Sequence, residues 1–461
     1  MTLFVPGPRT RARHFTLTWA LDIEHGGMTS ALLRRSGMFA RAFGQTVSIL
    51  TFDPVRDYTQ IRAGLDARGV LPDGVGVLNL WDWLAERGGA PASPRRMSHR
   101  YSADGTRLLQ IDHLRADGSV AVSDERDAAV RGRRRVRLYD RDGSVVREWR
   151  TAWALYAFWL DALRAGARAV MIADSKPAAR FLATYRRREV LTAHVMHGSH
   201  LDADGRDFSA SRRPVVESID DYDLVVLLTR QQRADLELRI GRRGHVRVIP
   251  NAVDPVAHPL ANPARNGGVV LASLGARKRV EHAVQAVADA RRLGVPAELD
   301  IYGDGPRRRR VAQLAQRTDG VRLHGFQPGA SAALRDRSFL LLTSTSEGSP
   351  LCVLEALAAG CLPIAYDIPF GPADVIRDGV NGFLVPAGDT AAMAARIAAL
   401  HAMPSTAVDL MRRRAVATVS DYEEDAVLAA WRRELRRAWH RKSGVIPRAR
   451  RVLRRRFTMA A

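Results

Sequence analysis

The chain has 461 residues, 46% of them hydrophobic, and a formal charge of +22. This length predicts two or three domains, and its two cysteines, Cys352 and Cys361, exclude a disulfide framework and a cysteine zinc site and fit a reducing compartment. No apolar run approaches the roughly 20 residues of a membrane span. Lysine occurs only at Lys176, Lys278 and Lys442, so the charge is nearly all arginine. Part of that reads as the codon bias of a GC-rich genome. The dense run from Arg432 to Arg456 exceeds it and points to an anionic partner or a membrane face.

In chain order, HFTLTWALD (14–22) alternates as a first strand rather than a signal peptide. EHGGMTS (24–30) reads as a glycine turn with Thr29 or Ser30 as helix cap. ALLRRSGMFARAF (31–43) has helical spacing and TVSILTF (46–52) is the next strand, a β-α-β opening of a parallel sheet. Between about 95 and 150 the pattern changes. Asp104-Gly105, Asp117-Gly118 and Asp142-Gly143 separate short alternating segments, and Asp-Gly suits tight hairpin turns, which need positive φ. An antiparallel insertion is expected there. Strands then return at 167–174, 190–198, 222–229 and 245–251, followed by a polar break, NPARNGG (262–268), and a second β-α array.

The expected architecture is α/β, with two doubly wound Rossmann-like domains facing a cleft. Residues 1–245 form the acceptor-side domain, interrupted by the β-rich insertion at about 95–150. Residues 246–430 form the nucleotide-binding domain, and 431–461 a basic helix or tail. The interdomain cleft is the default ligand site.

The most informative stretch is TSTSEGSPLCVLEALAAGCLPIAYD (343–367). A buried strand ends in small polar residues, Ser349 can cap, Pro350 suits the first helical position, and Gly360 stops the helix. A helix start at the carboxyl end of a parallel strand attracts a diphosphate through the N–H groups of Ser349, Leu351 and Cys352. Glu347 in the loop and Glu355 in the helix flank that point. A lone pair of glutamates seven residues apart means little; here the strand, cap and stop agree with it.

This stretch resembles the Glu-x7-Glu signature of retaining glycosyltransferase family 4, which has the GT-B fold. YGDGP (302–306), VRLHGF (321–326), VIPNAVD (248–254) and DGVNGFLVPAGD (378–389) are similar to the family's other landmarks. The resemblance implies that Glu347 contacts the donor sugar, that Glu355 binds ribose, and that residues around Phe326, with Gly303 in the neighbouring turn, line the nucleotide. YDIPFGPADVIRDGVNGFLV (366–385), LTRQQRADL (228–236), GGMTS and the insertion together resemble the α-glycosyltransferases of wall teichoic acid, in some of whose relatives the insertion mediates oligomerisation.

Lys278 lies between a strand and a helix, where its ammonium can neutralise a leaving diphosphate. The family's usual arginine before this loop is here Ser273, so Arg277 or Arg279 supplies the second cation or donor binding is weakened. In HVMHGSH (194–200), His197 reads equally as a packed histidine or, by the resemblance, as a group approaching donor sugar or acceptor. Gly26 and Gly27 permit close approach of backbone to ligand. No metal and no cofactor beyond the nucleotide-sugar substrate is implied. The expected activity is transfer of glucose or N-acetylglucosamine from a nucleotide-sugar, with uridine the usual base, to a teichoic-acid-like polyol-phosphate polymer. The alternatives are a lipid-linked glycan acceptor, with the arginine-rich C-terminus touching the membrane, and a non-catalytic partner subunit. Nucleic-acid binding has no supporting motif. A cytoplasmic protein, self-associating through the insertion, completes the expectation.

Overall fold

The computed structural model describes residues 12–24, 26–90, 96–126, 134–260 and 265–444. The start of the insertion at 95 and the basic tail from 445 lie outside them. The first parallel array contains β1 (Arg13–Thr18), β2 (Val47–Thr51) and β3 (Val75–Asn79). The chain then forms β4 (Arg96–Tyr101), β5 (Leu108–Leu114), β6 (Val120–Arg126), β7 (Arg134–Tyr139) and β8 (Val145–Trp149) before returning with β9 (Ala169–Ala173), β10 (Val190–Met196), β11 (Leu224–Leu227) and β12 (Val246–Val248). The seven-stranded sheet runs β12-β11-β10-β9-β1-β2-β3, all parallel. Parallel strands are buried on both faces, and β9 and β10 accordingly have every residue buried.

The insertion is a five-stranded antiparallel meander, β4-β5-β6-β7-β8. All three Asp-Gly turns form: Gly105, Gly118 and Gly143 have φ of 69°, 87° and 86°. Its Val122, Val136 and Trp149 share a core with Trp81 and Trp159 of the helices that enter and leave it.

The second array contains β13 (Gly268–Leu271), β14 (Leu299–Tyr302), β15 (Val321–Gly325), β16 (Phe339–Leu342), β17 (Leu362–Asp367) and β18 (Phe383–Pro386), ordered β15-β14-β13-β16-β17-β18 and also parallel. In both sheets the order reverses beside the first strand, between β1 and β9 and between β13 and β16. Crevices at such switch points, outside the carboxyl ends of the strands, are where doubly wound sheets bind ligands.

The final described helix, Glu424–Ser443, does not stay with the second sheet. Its Val427, Leu428, Trp431, Leu435 and Ala438 join the core under the first sheet with Leu32, Phe39 and Val195. The basic segment from residue 431 is thus, up to Ser443, the larger part of an amphipathic helix. Several of its cations are engaged within the chain: Arg433 and Arg437 pair with the buried Glu434, and Lys442 with Asp223 at 2.6 Å. Among the described residues, no helix is long and apolar enough to cross a membrane.

Candidate functional site

Two helix starts meet where the switch points face each other. The helix Gly27–Phe43 begins four residues earlier than its periodicity suggests, with Gly26 rather than Thr29 or Ser30 as N-cap. The amides of Thr29 and Ser30 donate to the Gly26 carbonyl at 3.0 and 3.2 Å, so both residues already lie inside the first turn. Opposite it, the helix Leu351–Ala358 begins one residue later than expected. Pro350, extended at φ −71° and ψ 105°, is its N-cap, and Ser349 makes no side-chain cap. The amides of Leu351 and Cys352 belong to the first turn, which leaves its N–H groups without intrahelical acceptors. Gly27 looks straight at this turn: a β-carbon there would lie 3.7 Å from Leu351 Cδ1.

The loop after β16 carries Glu347, 8% exposed. Lys278 Nζ donates to its Oε1 at 2.6 Å, and Arg277 Nη1 lies 3.0 Å from its Oε2. Burial alone would raise this carboxyl's pKa; the two cations outweigh it and hold the group below the usual range. Arg277 is half exposed, and it also donates to the Ser346 carbonyl at 2.5 Å. Arg279 does a different job. It adopts φ of 42°, donates to the carbonyls of Thr343 and Ser344, and stacks over Tyr366. Of the two candidates for the second cation, Arg277 therefore faces Glu347 and Arg279 braces the strand end. Ser273 is exposed.

Glu355 lies in the second turn of its helix. Burial raises its pKa first, Arg34 of the opposite lobe lowers it, and Asp254 raises it again. Arg34 in turn pairs with Asp254 at 2.8 Å. Cys352 between the two glutamates has its thiol pushed up to about 12 by burial, so it stays protonated. Gly303 has φ of 147°, and a β-carbon there would sit 1.8 Å from the Ala272 carbonyl oxygen; only glycine lets the turn after β14 press on the end of β13. Phe326 is 37% exposed with Arg68 of the opposite lobe over its ring.

His197 is held from behind. Its Nε2 lies 2.6 Å from Asp174 Oδ1, and Asp174 takes both terminal nitrogens of Arg35 at 2.8 and 2.7 Å. Burial pushes the Asp174 carboxyl up; Arg35 and then His197 overcome this and hold it far below the usual range. An ionised Asp174 can only accept, so Nε2 carries the hydrogen and donates it. Asp174 and Arg35 escaped the sequence reading, although Asp174 closes a strand at the switch point. His194 and His200 take other roles. His194 is buried against the Ala173 carbonyl, its pKa lowered to about 3 by burial, and His200 pairs with Asp235 and stacks on Phe370. Finally, Gly348, next to Glu347, abuts the His197 carbonyl: a β-carbon would lie 2.2 Å from it. The structure thus brings Glu347, Lys278, Arg277, the 349–352 turn, Gly26–Gly27 and His197 to one interlobe seam. Phe326 and Gly303 lie at the carboxyl edge of the second sheet. Among the described residues, no group of three or more His, Cys, Asp or Glu is placed to hold a metal.

The family model for glycosyl transferases group 1 matches residues 266–403, which contain the second sheet, Lys278 and both glutamates. Residues 266–403 are a group 1 glycosyltransferase domain. Among whole proteins, an exopolysaccharide phosphotransferase of Streptomyces coelicolor is 36% identical over 183 residues, covering 39% of this chain and 19% of the relative. A stretch of 197 residues is 25% identical to the poly(glycerol-phosphate) alpha-glucosyltransferase of Bacillus subtilis, covering 41% of this chain and 29% of the relative. The chain thus spans less than a third of the length of either curated relative. A crystal structure of a Staphylococcus aureus TarM point mutant in complex with fondaparinux, alpha-GlcNAc-glycerol and UDP superposes with a TM-score of 0.73 at 19% identity over 92% of this chain and 99% of that one. The fold around the glycosyltransferase domain is therefore GT-B, with the antiparallel sheet as part of its first lobe.

Proposed function

We infer that this chain is a retaining glycosyltransferase that moves glucose or N-acetylglucosamine from a UDP-sugar to a polyol-phosphate polymer. The observation that carries this reading is the seam itself. An acid held ionised by two cations, a free helix start and a histidine oriented by Asp174 converge where both sheets reverse order. The B. subtilis relative named for poly(glycerol-phosphate) and the UDP complex of the S. aureus neighbour support the substrate classes.

In this reading the amides of Leu351 and Cys352 receive the diphosphate. Lys278 and Arg277 neutralise the charge that grows on it as the sugar–phosphate bond loosens. Arg277 thereby takes over from the arginine that Ser273 replaces. Glu347 accepts hydrogen bonds from sugar hydroxyls, Glu355 from ribose, and Phe326 flanks the base. The acceptor hydroxyl attacks from the face the diphosphate leaves, and its proton passes to the departing phosphate oxygen, so no protein nucleophile is needed. Gly348 against His197 shuts the seam and excludes water. His197, oriented from behind by Asp174, approaches a sugar or acceptor hydroxyl. Self-association through the insertion is supported by its exposed edges, with Val145 and Val146 over half exposed on β8.

A thermal-shift screen of nucleotide-sugars, followed by turnover with poly(glycerol phosphate) and assignment of the product anomer by NMR, tests the reading. Stabilisation by UDP-sugars and an α-linked product are expected. Absence of any nucleotide binding, or a β-linked product, overturns it.

A further inference from the structure

Arg212 is 7% exposed, its Nη1 is buried without a hydrogen-bond partner, and it pairs with no carboxylate among the described residues. Burial acts on it unopposed and pulls its pKa down to about 10. An unpaired buried cation is destabilising, so stability does not account for its presence.

Lys176, one of only three lysines in the chain, lies beside it. Its Nζ donates to Ser211 Oγ at 2.6 Å and has no carboxylate partner among the described residues. Burial and then the charge of Arg212 lower its pKa. Two adjacent cations without a counter-charge are unusual here, because most buried charges in this chain are paired: Arg35 with Asp174, Arg134 with Asp124, Glu434 with Arg247. The location is specific. A β-carbon on Gly198 would lie 3.3 Å from Arg212 Nη2 and, from the other side, one on Gly348 would lie 2.9 Å from Gly198 Cα. The cation pair therefore sits directly beneath the loop that carries His197, on the lobe opposite Lys278 and Glu347.

We propose that Lys176 and Arg212 form an anion site on the acceptor side of the seam, taking a phosphate ester of the acceptor. Lys176, half-buried, touches the phosphate oxygen, and Arg212 supports it from beneath with a charge that water screens little. A phosphate beside the acceptor hydroxyl satisfies both cations at once; a neutral polyol leaves both unpaired. The inference rests on the glycosyltransferase reading for the identity of the seam, but its test does not.

Calorimetry on the full chain with glycerol 3-phosphate, glycerol and UDP decides it. The wild type binds glycerol 3-phosphate and not glycerol. Lys176→Gln weakens that binding about ten-fold or more, the worth of one charge-assisted contact, and leaves UDP affinity unchanged. Arg212→Met weakens it too while raising the melting temperature, because it removes an unpaired buried charge. Wild-type affinity for glycerol 3-phosphate in both variants overturns the proposal. So does a parallel loss of UDP affinity, which assigns the cations to the donor diphosphate. Failure of the wild type to bind UDP at all sinks the donor reading of the previous section, while the glycerol 3-phosphate comparison still judges this site.

Discussion

On the C-terminal wall of the seam the charged groups come from two short stretches, 277–279 and 343–355, and Arg277 and Lys278 meet their acid, Glu347, within the same lobe. On the N-terminal wall Arg35, Asp174 and His197, far apart in the chain, form a buried relay rather than a turn, and Arg212 lies buried beneath the His197 loop without joining it. The first wall is built of backbone ends, strand termini and a helix start, with side chains added. The second is built of side chains that reach one another through the core. The difference predicts different failures: damage to the first wall removes chemistry and spares the fold, whereas damage to the second removes stability as well.

The largest effect is expected at Asp174. Asp174→Asn leaves Arg35 buried without its counter-charge and costs about 3–5 kcal/mol, read as a shift of the denaturant midpoint. A loss under about 1 kcal/mol, the scale of an exposed pair, would erase the distinction between the walls. Next, Lys278→Ala and Glu347→Gln lower turnover at saturating donor by about 10²–10³-fold, in the range of other electrostatic stabilisers, with melting temperatures near wild type. Near-normal turnover in both variants removes the C-terminal wall from the chemistry.

Gly348→Ala addresses the contact between the walls. Its new methyl meets the His197 carbonyl and drives the lobes apart, at about 1–3 kcal/mol if the closed state is kept. Turnover drops while affinity for UDP alone is retained; equal loss of both refutes this. The smallest effect is in pH. His194 and His14 are neutral in the fold, lowered to about 3 and about 4 by burial. A folded pKa below the unfolded value of 6.5 means that their contribution is complete above pH 6.5 and declines as pH falls toward 4. A melting temperature that drops between about pH 7 and 5, and drops less in His14→Gln, fits this; a flat profile does not.

This asymmetry also explains what could be read from the sequence. The 343–360 stretch was legible because strand, turn, helix and stop are contiguous and each has local chemistry, and the Asp-Gly hairpins for the same reason. The helix starts were misplaced because backbone bonds to Gly26 and the extended Pro350, not hydroxyl caps, set them. The Arg35–Asp174 pair spans 139 positions and has no local signature, and only the folded sheet brings its members together. The crossing of the last helix to the first sheet was hidden likewise: its apolar stripe identifies a buried face without naming the partner.

That crossing has a mechanical consequence. The polypeptide passes between the lobes twice, once between Val248 and Gly268 and again near Glu423, and Trp431 anchors the second passage beside Arg35. Two tethers define an axis, so a relative movement of the lobes would be confined to rotation about a line rather than spread over a single joint. Any closure confined to that line returns Gly348 to the same backbone oxygen.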